Sequence, residues 1–233
     1  MSHDDYTADK AEKLNGRYEV DFQTMKCLSH FDLYDEYVLE SYGNIAEIFS
    51  DESEKGQQQI GHIKVRLVQM GRIMNDDENI FELYDSFDQY FHDIYGELFD
   101  AESDGFSETL CRQFKTLSDG CNILLIDEVE ILPAYRRKRI GLASVHRAID
   151  IFGARDCLVI ISTYPPQFYD RRDDLQWKAK MRSDVFVKDE QAACTKLERY
   201  WHILGFERIW DSRYICALCT NNKYPSIQEI YPD

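Results

Sequence analysis

Along residues 17–22, Tyr18, Val20 and Phe22 alternate with charged neighbours, the period of two that marks a half-buried strand. The same pattern predicts strands over 42–49 and 60–70, the second from Ile63, Val65 and Leu67 set against Lys64 and Arg66. The polar tract 50–59 between them reads as a flexible connection. The period then changes. Leu83, Phe87, Tyr90, Phe91, Ile94, Leu98 and Phe99 recur at three- and four-residue spacing, which predicts a helix over 86–99 opened by a Ser86/Gln89 capping box. Its aromatic stripe is expected to pack in the core. A shorter helix is expected over 107–117, before a Ser118-Asp119-Gly120 turn, while residues 1–16, polar and aperiodic, read as a flexible lead-in.

From Cys121 onward strand and helix patterns alternate. Residues 121–132 form a strand closed by Pro133, and 141–152 a helix with Leu142, Val145, Ile149 and Phe152 on one stripe and Gly153 beyond its end. The continuous β-branched run 157–163 is that of a buried strand. Ala193, Leu197, Tyr200, Trp201 and Leu204 mark a helix ended by Gly205, and 206–210 with 213–219 form a final hairpin turning at Asp211-Ser212. A long polar insertion, 164–190, carries Tyr164, Phe168, Tyr169 and Trp177; it reads either as a lid or as a surface excursion. The order predicts a mixed α/β architecture, and 233 residues, 44% of them hydrophobic, suffice for one domain over 17–233 with a single good core.

Composition narrows the function. A net charge of −16 disfavours a phosphate backbone as partner and favours a cationic one, an amine or a basic peptide, although an acidic surface also serves solubility alone. Seven scattered cysteines, an odd number, argue for reduced thiols in the cytosol, and no run is long and apolar enough for a membrane span or a secretory signal. Cys216 and Cys219 stand three apart on a strand and so face opposite ways, and no metal site is expected. No Gly-x-Ser-x-Gly elbow, phosphate-binding Walker loop or dinucleotide fingerprint is present, and neither His146 nor His202 has a spaced partner resembling a metal site or a nucleophile triad.

The most informative segment runs from Ile131 to Ala143, where a strand end meets a helix start through the basic run Arg136-Arg137-Lys138-Arg139. Unpaired amides, the helix dipole and four cations suit such a junction to a pyrophosphate; alone, the run would more readily be a solvated basic turn. Leu132-Pro133-x-Tyr135-Arg136-x-Lys138-x-Ile140-Gly141 resembles the acetyl-coenzyme A loop of the GNAT N-acyltransferases, and Leu204-Gly205-Phe206 is similar to their second signature. The resemblance covers about residues 121–219. It implies a GNAT-like, mostly antiparallel sheet flanked by helices, with a variant first half. It also implies acetyl-coenzyme A as cosubstrate: the backbone of Ile131 and Leu132 would hold the pantetheine arm, and Arg136, Arg137, Lys138, Arg139, Ile140, Gly141 and Ala143 the phosphates.

Three departures accompany it. The family usually has glycine where Arg139 stands, and often where Arg137 stands, because the backbone approaches the phosphate in unusual torsions. Trp201 occupies the place of a tyrosine general acid, with Tyr200 adjacent but pointing about 100° away, and Cys194 stands where asparagine is frequent. The family also puts its first two helices between the first two strands. For the proton acceptor, Asp127 interrupts the odd face Leu125, Val129, Ile131 and is expected to have a raised pKa, or else to be satisfied by loop amides or a basic side chain; Glu128 is the second candidate. The expectation is an amine N-acetyltransferase working by direct attack, with a non-catalytic interaction or regulatory module of the same fold as the alternative. The edges of the C-terminal hairpin leave room for a homodimer.

Overall fold

The computed structural model describes residues 17–25, 34, 36–51, 54–100, 102–103, 105–118, 120–153, 156–165, 168, 175–182, 186, 188–210 and 212–231. The 1–16 lead-in, much of the 164–190 insertion and Asp211 of the hairpin turn lie outside them. The alternating segments become β1 (Arg17–Met25), β2 (Val38–Asp51), β3 (Glu54–Val68), β4 (Asn122–Ile131), β5 (Cys157–Ser162), β6 (Glu207–Arg208) and β7 (Ile215–Cys219). They form one sheet in the order β1-β2-β3-β4-β5-β7-β6, antiparallel throughout except for the parallel pair β4 and β5. The architecture is therefore mixed α/β on a mostly antiparallel sheet.

Four helices separate β3 from β4: α1 (Met70–Asn75), α2 (Ile80–Ser86), α3 (Gln89–Leu98) and α4 (Glu108–Gln113). The crossover from β4 to β5 is α5 (Ile140–Phe152); α6 (Leu175–Met181) and α7 (Glu190–His202) follow, and α8 (Ile227–Ile230) comes after the last strand. The sheet is buried on both faces. Leu83, Tyr84, Phe91, Ile94 and Leu98 of the first helices pack on Val68, Ile123, Leu125, Leu158 and Ile160. On the opposite face Leu142, Val145 and Ile149 of α5, Trp201 of α7 and Ile230 of α8 pack on Ile63, Val65, Leu124, Ile126 and Val159. Cys216 belongs to the second cluster and Cys219 to the first, so the Cys-x-x-Cys thiols do face opposite ways.

Two sequence expectations are corrected. The tract 50–59 is largely strand: Ser50 pairs with Lys55 and Ala46 with Gln59, because a backbone ladder needs no buried side chains. The helix expected over 86–99 is α3, but it starts at Gln89 and is not capped by Ser86; the stripe from Leu83 begins in a separate helix, α2. Ser86 ends α2, its Oγ donating to the Leu83 carbonyl, while the Asp88 carboxylate accepts from the Phe91 N–H at 2.9 Å and starts α3. The aromatic stripe runs through the break because both helices bury onto one cluster.

Two irregularities position everything that follows. Opposite Lys64 and Val65 the β3–β4 register skips Asp127, a bulge that leaves one extra residue on β4. The β4–β5 pairing ends at Ile126 and Ile161, so β4 runs on for five residues beside β3 with no strand on its other side among the described residues.

Candidate functional site

The free stretch of β4 opens a gap in the sheet. The Leu132 N–H donates to the Ile60 carbonyl at 2.8 Å. By antiparallel alternation Glu130 and Glu128 then direct their main-chain groups to β3, and Val129 and Ile131 direct theirs into the gap. Of the backbone positions that the resemblance implied, Ile131 faces the gap, although its carbonyl already accepts from Arg136 Nε at 2.9 Å, while Leu132 is committed to β3. Val129 is the residue that sequence reading missed, since only the partner strand reveals which residues of β4 turn outward.

A 3₁₀ turn, Pro133–Tyr135, leads from the strand into the loop. Arg137 and Arg139 both adopt left-handed backbone torsions, φ 66° and 56°. These are the two positions where the resemblance led to an expectation of glycine, and holding a side chain there costs about 1 kcal/mol each. The N–H groups of Arg137 to Gly141 make no backbone hydrogen bond among the described residues, and they lie at the N-terminus of α5. Gly141 fits a tight contact: a Cβ there would stand 3.0 Å from Tyr200 Oη and 3.6 Å from Val129.

The basic side chains mostly turn away from these amides. Arg136 also donates to the Met181 carbonyl at 2.5 Å and lies 4.4 Å from the Phe186 ring centroid. Lys138 lies over the Tyr135 ring, whose hydroxyl donates to Glu47, and Arg139 donates to the Ile230 carbonyl at 2.6 Å. Arg137 alone of the four is exposed. Ile140 and Ala143 enter through the helix backbone, the Ala143 N–H bonding to the Arg139 carbonyl as α5's first complete turn.

The bulge corrects the expected faces of β4. Leu125, Asp127, Val129 and Ile131 do not share one face: Leu125 packs with the first helices, whereas Val129 and Ile131 pack with α5. Asp127 instead joins Glu128 and Glu130 on the α3 side, opposite Arg66, Lys64 and His62 of β3. Its carboxylate, 6% exposed, pairs with Arg66 through Nε at 2.5 Å and NH2 at 3.0 Å. Arg66 in turn reaches Asp88 at 3.0 Å and lies 4.1 Å from the Phe91 ring centroid. Burial pushes the Asp127 carboxyl up, as expected, with Arg66 pulling against it. Asp127 thus follows the second expectation in being ion-paired with a basic side chain, although its buried Oδ2 faces Arg66 Nε without a well-formed hydrogen bond.

Glu128 and Glu130 stand nearer the opening, 21% and 15% exposed, on either side of His62, whose Nε2 is 3.6 Å from Glu128 and 3.7 Å from Glu130. Trp177 of the insertion donates its indole N–H to Glu130, with its ring 5.0 Å from that of His62. At least this part of the insertion covers the site. His62 and Glu130 escaped the sequence reading because Lys64 and Arg66 dominated the polar face of β3 and no spacing rule links positions 62 and 130.

On α7, Trp201 is buried, and its indole nitrogen has no partner among the described residues. Tyr200 points to the start of α5; burial pushes its hydroxyl up to about 12, with the Leu142 amide and Arg139 acting in the opposite direction. Cys194 is buried, its thiol likewise pushed up by burial. His146 pairs with Asp150 at 3.2 Å, and His202 Nδ1 lies 3.2 Å from the Phe206 carbonyl, both structural contacts within or next to their own helices. No described helix is long and apolar enough to cross a membrane. Comparison with family models, with curated proteins and with solved structures finds no match.

Proposed function

We propose that the chain is a GNAT-like N-acetyltransferase that moves the acetyl group of acetyl-coenzyme A onto an amine. The observation that carries this reading is the juxtaposition of the strand gap after Ile126 with the unpaired amides of Arg137 to Gly141. A thioester arm lying along β4 would meet the main chain of Val129 and Ile131, and its pyrophosphate would reach the N-terminus of α5, where the dipole and the exposed Arg137 favour an anion. The amine nitrogen attacks the thioester carbonyl, the carbon–sulfur bond breaks, the thiolate leaves, and the nitrogen's surplus proton passes to a carboxylate. With Asp127 held by Arg66, Glu128 is the acceptor of that proton. The acidic face and the net charge of −16 suit a cationic amine or basic peptide. The buried, reduced cysteines suit the cytosol.

A second reading has its own support. Arg136, Lys138 and Arg139 are directed to the protein's own carbonyls and a ring, and Trp201 stands where the resemblance led to an expectation of tyrosine. These are the marks of a loop kept for its shape in a non-catalytic module.

Calorimetric titration of acetyl-coenzyme A separates the two. The enzyme reading expects micromolar binding, weakened at least about tenfold by Arg137→Glu through lost phosphate contact, and turnover on an amine panel that Glu128→Gln abolishes. Binding without turnover would leave the module; no binding by folded protein would sink the coenzyme A site altogether.

A further inference from the structure

We propose that His62, Glu128 and Glu130 form a binding site for a divalent transition-metal ion. One donor atom from each lies within 4.8 Å of the other two, and the His62 contacts are 3.6 Å and 3.7 Å. Two ligands about 2.1 Å from a tetrahedral ion stand about 3.4 Å apart, so small side-chain rotations would close the set. The backbone already fixes the spacing. His62 and Glu130 are a cross-strand pair, and the bulge at Asp127 sets the register that puts Glu128 beside them.

The surrounding charges favour a cation there. Two carboxylates project from one strand two residues apart, and the neighbouring cations of β3 are engaged elsewhere: Lys64 pairs with Glu40 at 3.0 Å and Arg66 with Asp127 and Asp88. An imidazole with two carboxylates is a borderline donor set, which selects zinc, cobalt, nickel, iron or manganese over calcium and magnesium. The Trp177 N–H on Glu130 supplies the outer hydrogen bond that orients a ligating carboxylate. The partial exposure of all three residues leaves coordination positions open to water. The site stands independently of acyl transfer, although an ion bound through Glu128 would occupy the carboxylate assigned there as proton acceptor.

The test is titration of cobalt(II) into chelator-treated full-length protein, followed by calorimetry and visible absorption. One ion per chain is expected, bound through nitrogen and oxygen, with affinity falling at least about tenfold in His62→Ala and in Glu130→Gln. His62→Gln serves as a second variant, and circular dichroism confirms that each is folded. Absence of binding to the wild type, equal binding by the variants, or a thiolate-to-cobalt charge-transfer band would each overturn the proposal, the last by assigning the ion to cysteine.

Discussion

Asp127 shows how much one residue's meaning depends on a distant partner. A carboxylate among Leu124, Leu125, Ile126 and Val129 is visibly unusual in the sequence, but Arg66 lies 61 positions away. The pair, with Asp88 and the Phe91 ring, locks β3, β4 and α3 together in a region where the β4 ladder is irregular. Asp127→Ala leaves a buried guanidinium with only Asp88 and is expected to cost about 3 kcal/mol in denaturant unfolding. Adding Arg66→Met is expected to restore part of that loss, because the stranded charge goes with it; a double variant that is simply additive would show that the pair acts as two independent residues.

At the scale of elements, the strands and long helices were legible because each has a period and a stop signal. Gly153 and Gly205 end α5 and the α7 turn as expected, Gly205 with φ 90°. What escaped was either short or relational. α1 and α8 are six and four residues long, too brief for a periodic stripe. The bulge, the β4–β5 gap and the turning of Val129 into it are properties of pairing, and no single strand encodes its partner's register. The loop lies between these extremes: its sequence indicated a strand-to-helix junction and the two positions needing unusual torsions, but not that arginine side chains there would turn back onto the protein. Gly61 shows how tightly the paired region is built, since a Cβ there would stand 2.3 Å from the Glu130 carbonyl oxygen. Gly61→Ala must push β3 from β4. A loss of about 1–3 kcal/mol in denaturant unfolding is expected, together with weaker cobalt binding, because Glu128 and Glu130 ride on the displaced strand.

For the whole molecule, the buried phenols and thiols set the alkaline limit. Burial pushes Cys157 and Cys216 up to about 12, and burial with Asp76 does the same for Tyr37, as does Glu190 with burial for Tyr214. The fold thus favours their neutral forms. Their contribution is complete below the unfolded values, about 8.5 for cysteine and 10 for tyrosine, and is lost as the pH rises through the folded ones. The denaturation midpoint is expected to be flat near neutrality and to fall steadily from about pH 9 to pH 11; a midpoint unchanged over that interval would contradict the burial of these groups.

The short α8 is also fastened to the loop that precedes α5, with Arg139 donating to the Ile230 carbonyl and the Tyr231 hydroxyl to the Lys138 carbonyl at 3.2 Å. During synthesis the loop is therefore made before its anchor, the two bonded pairs standing 91 and 93 positions apart in the chain. A growing chain can complete its sheet through β7 and still lack the clasp. Both bonds of the clasp become available to the loop only once the ribosome has added Tyr231.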